Sequence, residues 1–337
     1  MDALAGLLDG PRARGAFLLR MVMEPPWAVR VEDRAPICLM SVRRGTAFIV
    51  PSGGGEPVRL GPGDIVVARG PDSYTVADAP GTTPHALIGP GGVCTTLHGR
   101  PLSQDMVLNV RTWGNAADGA TAVLVGTYLL DGEISRRLLD ALPPLLTVPA
   151  DTRTRPLLDL LDAEIAQDEP GQRVVVLDRL LDLLLIAVLR AWFARPGADA
   201  PGWYRAMGDP VVGAALRLLR RDPAHPWTVA SLAAGAGVSR AGLARRFTEL
   251  VGEPPMAYLT GWRLDVAADL LRESDATVEA VARKVGYSTP FAFSAAFKRV
   301  RGVSPQEYRG SPRENHLDLP DRQRRLPGGP PSVRLTP

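Results

Sequence analysis

Apolar residues fall at helical spacing twice within residues 228–310, and each time the pattern breaks at a glycine. The first stretch, Thr228-Val-Ala-Ser-Leu-Ala-Ala-Gly-Ala-Gly-Val-Ser-Arg-Ala-Gly-Leu-Ala-Arg-Arg-Phe247, carries Val229, Leu232 and Ala233 before the break and Leu243 and Phe247 after it. The second, Thr277-Val-Glu-Ala-Val-Ala-Arg-Lys-Val-Gly-Tyr-Ser-Thr-Pro-Phe-Ala-Phe-Ser-Ala-Ala-Phe297, carries Val278, Val281 and Ala282, then Phe293 and Phe297. Such spacing predicts two short helices per copy, closing one small core each. Thr228, Ser239, Thr277 and Ser288 are placed to cap those helices, because a hydroxyl accepts from a free amide of the first turn. In each copy a small Ala (Ala233, Ala282) precedes the Gly (Gly237, Gly286) by four residues, which lets two helices cross closely at a tight turn. The second copy has one extra residue between its Gly and its closing Phe, so its turn is expected to be longer.

Between the copies, residues 254–272 begin with two prolines and carry an apolar stripe of Met256, Leu259, Leu264, Ala267, Leu270 and Leu271. A helix of this length spans on the order of 28 Å. Second helices held that far apart match successive major-groove turns of B-DNA, roughly 34 Å apart on one face. One chain can then bind an asymmetric site.

The chain here resembles the AraC/XylS family of bacterial transcription regulators, over residues 209–310. The match rests on the tandem itself, on Gly286-Tyr-Ser288, on Phe293-x-x-x-Phe297-Lys298, and on the closing Gly302-Val-Ser-Pro-Gln-Glu-Tyr-Arg309. The resemblance implies double-stranded DNA as partner, and RNA polymerase as well if the protein activates. On the first reading helix the DNA-facing candidates are Ser239, Arg240, Ala241, Arg245 and Arg246. Arg245 is the candidate for direct readout, since arginine bonds guanine bidentately, and by resemblance it holds a base-contacting position. Arg240 and Arg246 are phosphate candidates. On the second helix the candidates are Thr289, Phe291, Ser294, Lys298 and Arg299. Of this helix's residues only Thr289 and Ser294 offer a base a hydrogen bond, and Phe291 or Ala295 can touch a thymine methyl, so this half is expected to give backbone contacts and weak base preference.

Upstream the periodicity changes. Residues 15–130 read as short strands, among them Ala35–Val42, Gly45–Val50, Val58–Leu60, Asp64–Ala68, Ser73–Ala77, Val93–His98 and Ala120–Tyr128, with turns at Ser52-Gly-Gly-Gly55 and Gly61-Pro-Gly-Asp64. That pattern suits a barrel or sandwich. Leu60-Gly-Pro-Gly-Asp64 and its following strand resemble the cupin-like sensor domain that often accompanies such DNA-binding domains, and Leu138–Leu146 matches the end of that domain. Two helices are predicted next. Pro156–Gln167 carries Leu157, Leu160, Leu161 and Ile165 on one face, and Arg173–Arg195 has an apolar surface too wide for one partner. A hairpin packed on the barrel and on a second subunit would bury it, as would a purely intramolecular core. Pro196–Gly202 reads as a linker and 311–337 as a disordered tail.

The expected fold class is therefore multidomain α+β. Residues 1–150 form a cupin-like β-barrel sensor, 151–205 a helical hairpin for dimerisation with a linker, and 206–310 an all-α tandem helix-turn-helix domain with motifs at 228–249 and 277–299. Charge agrees modestly: residues 206–310 carry 14 basic and 10 acidic side chains, whereas 1–150 carry 13 and 14. The two cysteines, Cys38 and Cys94, imply no disulfide framework and suit a reducing cytoplasm. The start lacks a signal-peptide pattern, and the most apolar run, Val174–Phe193, is too charged to span a bilayer.

Chemistry is sparse. An enzymatic cupin needs a metal held by His-x-His, a carboxylate and a further His, and no His-x-His occurs. No metal, no cofactor and no catalytic residue is expected. A small barrel interior still holds one small ligand, with Trp27, Tyr74, His85 and His98 as candidate lining, and Cys38 and Trp113 conceivable beside them. The sequence supports a DNA-binding regulator controlled by a small-molecule effector, with a homodimer among its expected partners. A metal-dependent cupin enzyme fused to a DNA-binding domain, and a constitutive DNA-binding protein whose barrel only dimerises, remain alternatives.

Overall fold

In the computed structural model, the described residues are 17–102, 105–109, 111–128, 133–166, 174–195 and 200–310. The expected tail at 311–337, the linker residues 196–199 and the amino-terminal residues 1–16 lie outside them. The chain divides into two compact units.

The first unit holds two sheets. One has seven strands in the order β10 (Val107–Asn109), β11 (Thr112–Gly114), β1 (Phe17–Met23), β12 (Thr121–Tyr128), β3 (Ile37–Arg44), β6 (Asp64–Arg69) and β13 (Leu145–Pro149). The other has six, in the order β5 (Val58–Leu60), β4 (Ala47–Pro51), β7 (Tyr74–Ala77), β2 (Ala28–Val31), β8 (Ala86–Ile88) and β9 (Cys94–Thr95). Most neighbours are antiparallel; β1 with β11 and β2 with β8 are parallel. Their shared core contains Met21, Met23, Trp27, Val29, Cys38, Met40, Tyr74, Val76 and Trp113.

Strand β3 is buried on both faces, which explains its apolar run, interrupted only by Ser41 between Ile37 and Val42. Cys38, Met40 and Val42 point into the core, and Ile37, Leu39 and Ser41 alternate with them toward the opposite face. The helical hairpin belongs to this unit: α2 (Thr154–Ala166) and α3 (Val174–Phe193, its last residue falling to the second unit). A Cβ on Gly126 of β12 would lie 2.8 Å from the Leu181 side chain, and the Tyr128 hydroxyl donates to the Leu181 carbonyl at 2.7 Å. Arg43, at the end of β3, pairs with Asp159 and, at 2.5 Å, with Asp162 on α2. On α2 the buried positions are Thr154, Leu158, Leu161 and Ile165. Leu160, expected on that face, is exposed, and Leu158 takes its place because the inward stripe is shifted around the helix. None of the described helices is long and apolar enough to cross a membrane.

The second unit is all-helical: α1 (Glu133–Leu139), α4 (Gly202–Met207), α5 (Pro210–Arg221), α6 (Val229–Gly235), α7 (Arg240–Val251), α8 (Pro255–Glu273), α9 (Val278–Lys284), α10 (Pro290–Arg301) and α11 (Pro305–Gly310). It has two small cores. Leu216, Leu232, Leu243 and Phe247 pack with Tyr258, Leu259 and Trp262 from the first half of α8. Val281, Phe293, Phe297 and Tyr308 pack with Leu264, Ala267, Ala268 and Leu271 from its second half. One helix thus fixes both copies of the repeat.

Helix α1 departs from the expected partition at residue 150. Its sequence lies between β12 and β13, yet it packs on α8. A Cβ on Gly261 would lie 2.7 Å from an Arg137 guanidinium nitrogen, so the glycine is where the two helices meet.

Candidate nucleic-acid interface

Each repeat builds the same device from local chemistry. Thr228 caps α6 by accepting from the Ser231 amide, with Ser231 returning the bond. The chain then turns at Gly237, whose φ of +69° favours glycine, and α7 starts on Ser239, which accepts from Gly242 N at 3.1 Å. In the second copy Thr277 caps α9 and Gly286 turns at φ +86°. A Cβ on Gly286 would also stand 2.7 Å from the Ala224 carbonyl oxygen. The extra residue lengthens this turn, so Thr289 rather than Ser288 is the cap of α10, accepting from Ala292 N at 3.2 Å.

The first candidate set lies together on α7 and its cap. Ser239, Arg240, Ala241 and Arg245 are exposed. The Arg245 side chain is 79% exposed, and among the described residues its ion pair is a long 3.8 Å approach to Glu249. Arg246 behaves differently. Its Nε and Nη2 donate to Asp209 Oδ2 at 2.9 and 2.6 Å, tying α7 to the start of α5. Asp209 Oδ1 meanwhile accepts from the amides of Val211 and Val212. Burial acts against the Asp209 charge, but the Val212 amide, the Arg246 guanidinium and the Val211 amide outweigh it and hold the carboxyl below its ordinary range.

On α10, Thr289, Phe291, Lys298 and Arg299 are exposed and Ser294 is half-buried. Arg301 turns inward, its Nη2 2.5 Å from Oδ1 of Asp265 on α8, while Arg137 of α1 pairs with the other oxygen. Much of the unit's basic excess is spent internally. Arg220 donates to the Tyr258 hydroxyl at 2.8 Å and lies over Trp203 and Trp262. Arg263 caps the Pro223 and His225 carbonyls, and Arg309 bonds the Leu271 and Ala276 carbonyls. Sequence reasoning missed Asp209 and Asp265 as orienting groups. The Asp209-Pro210 pair was a readable helix-start signal; Asp265, a lone carboxylate beside the apolar stripe of α8, was a fainter one.

The candidate ligand residues divide. Trp27 and Tyr74 lie in the core between the sheets, with Cys38 and Trp113. Trp27 Nε1 is buried with no hydrogen-bond partner among the described residues, and Tyr74 Oη has the Cys38 thiol as neighbour without a well-formed hydrogen bond. Burial, reinforced by Cys38 and Asp33, raises the Tyr74 hydroxyl well above its usual range. His85 and His98 are exposed and do not join that interior. His85 Nδ1 accepts from Ala28 N at 3.3 Å, and burial lowers its pKa. Burial also lifts Cys38 to about 12 and Cys94 to about 11, so neither supplies a thiolate near neutrality. Among the described residues, no group of three or more His, Cys, Asp or Glu is placed to hold a metal ion.

Comparison with known proteins bears on the family. A family model described as a cupin matches residues 2–194, and one described as a helix-turn-helix domain matches residues 232–311. A Streptomyces lividans protein named as an AraC-like transcription regulator is 36% identical over 317 residues, covering 93% of this chain and 99% of the relative. The HTH-type transcriptional regulator AlkR of Acinetobacter baylyi is 29% identical, over 92% of this chain and 99% of its own length. The DNA-binding domain of AdpA, solved in complex with a target DNA, is 35% identical, with 30% of this chain and 91% of that chain covered and a TM-score of 0.29. With its cupin unit, its duplicated helix-turn-helix and relatives matched nearly end to end, the chain belongs to the family of AraC-like transcription regulators.

Proposed function

We propose that the protein binds an asymmetric double-stranded DNA site through α7 and α10, placed in neighbouring turns of the major groove. The observation that carries this is the exposed face of the first two turns of α7, where Arg240 beside the Ser239 cap and the lightly paired Arg245 both reach solvent. Arg245 reads a guanine, Arg240 meets phosphate, and Arg246 chiefly orients α7 through Asp209. On α10, Lys298 and Arg299 meet phosphate while Thr289 and Ser294 lie nearer the bases.

The test is selection of bound fragments from random DNA by the purified full-length protein at a stated salt concentration. A motif with two elements about 10 base pairs apart supports the reading. Failure to enrich any motif, with or without candidate metabolites, would overturn it.

The interior of the cupin unit supports an effector role. The buried Trp27 Nε1 lacks a partner, and a small polar molecule inside the sheets would supply one. An effector acts by binding one conformation more tightly than another. A homodimer is supported by Val176 and Leu183, seven residues apart on α3 and 45% and 52% exposed.

A further inference from the structure

The second reading helix presents an apolar face where a polar one is expected. Phe291 is 84% exposed; no other large apolar side chain among the described residues exceeds 53%. It is not a displaced core residue, since Phe293 and Phe297 of the same helix fill the core with no exposure. Around it, Pro290 has no amide hydrogen to give, the Thr289 hydroxyl is engaged by Ala292 N, and Ala295, one turn on, is exposed as well. Counting from the capping residues, Phe291 stands on α10 where Ala241 stands on α7, in the turn that leads into the groove. Lys298 and Arg299 are exposed toward the other end of α10.

The one apolar feature on the floor of the major groove is the C5 methyl of thymine. We propose that Phe291, with Ala295 beside it, recognises thymine methyl groups. The second half of the site would then be specified by apolar contact rather than by hydrogen bonds. This rests on the DNA-binding reading above, and it makes the second half a true base reader. Each methyl enclosed against Phe291 is worth about fourfold in affinity.

The test replaces each thymine of the selected site, one at a time, by deoxyuridine, which keeps the base pair and removes only the methyl. Affinities of the full-length wild type and of Phe291→Ala are measured at one salt concentration. The expected result is a loss of about fourfold for the wild type at one or two thymines of the second element. Phe291→Ala should bind the thymine and uracil versions of those positions alike, with an unchanged unfolding midpoint because the ring is exposed. A second element with no methyl-sensitive thymine, or a uracil penalty that persists in Phe291→Ala, would overturn this inference while leaving DNA binding intact. A wild type that selects no motif would overturn the DNA-binding reading and this inference together.

Discussion

Arg246 of α7 and Asp209 at the start of α5 tie together two helices that are separated in the chain by α6. Both guanidinium bonds land on one carboxylate oxygen, while the other oxygen caps α5. The pair therefore links α7 to the amino terminus of α5. Since the folded Asp209 pKa lies below its ordinary 3.8, its stabilisation is complete above that value and fades as pH falls through the folded one. Denaturant midpoints of the wild type should drop on acidification below about pH 4. Asp209→Asn should start lower at neutral pH and fall less steeply. Parallel pH curves for the two proteins would contradict the coupling.

Arg245 is exposed and barely paired, so its loss should spare folding. Arg245→Ala is expected to cost about 1–3 kcal/mol on the preferred site and to relax one base position. Site selection with the variant checks this; an unchanged base preference would remove Arg245 as a reader.

Asp265 is a buried carboxylate held by Arg137 from α1 and Arg301 from α10. Removing one cation leaves the charge half-compensated, and Arg137→Ala should destabilise by about 1–3 kcal/mol. In a double-mutant cycle with Asp265→Asn, most of that cost should vanish. Additive losses would mean that Arg137 acts through its stacking on Tyr258 (guanidinium carbon 5.5 Å from the ring centre) instead.

Leu183→Glu places a charge on the exposed side of α3. If that side meets a second copy, light scattering should report a monomer from a dimeric wild type, with the melting temperature of the cupin unit unchanged. A wild type that is itself monomeric at micromolar concentration would dispose of this interface.

Trp27→Phe deletes the orphaned donor and keeps most of the ring. The ligand-free variant should melt at or slightly above the wild-type temperature, because a buried unsatisfied donor costs about 1–3 kcal/mol. A clear drop would show that Nε1 has a partner of its own.

What could be read from the chain was local. Thr228, Ser239, Thr277, Gly237 and Gly286 act within one turn of their own position, and each holds its expected place. The Ser288-to-Thr289 shift follows from the extra residue that the sequence already displays. Harder to see were strands β1 and β2, whose partners β12, β11, β7 and β8 lie far along the chain. Leu158 and Leu160 of α2 are equally apolar, and only the neighbouring sheet decides which is covered. Arg246 and Arg245 look alike in sequence. Asp209, thirty-seven residues upstream, tells them apart.

The route of α1 bears on how this protein is modular. The polypeptide leaves the sheets after β12, gives a helix to the reading unit, and returns for β13. The helical unit is therefore built from two separate stretches of the chain. A fragment beginning near residue 200 would lack α1, baring Gly261 and leaving Asp265 without Arg137. A chimaera joined at residues 196–202 would bring a foreign α1 to the same place. Exchanging the cupin unit in such a chain therefore means matching an α1 to its α8, and a seam that ignores that helix exchanges part of the helical unit too.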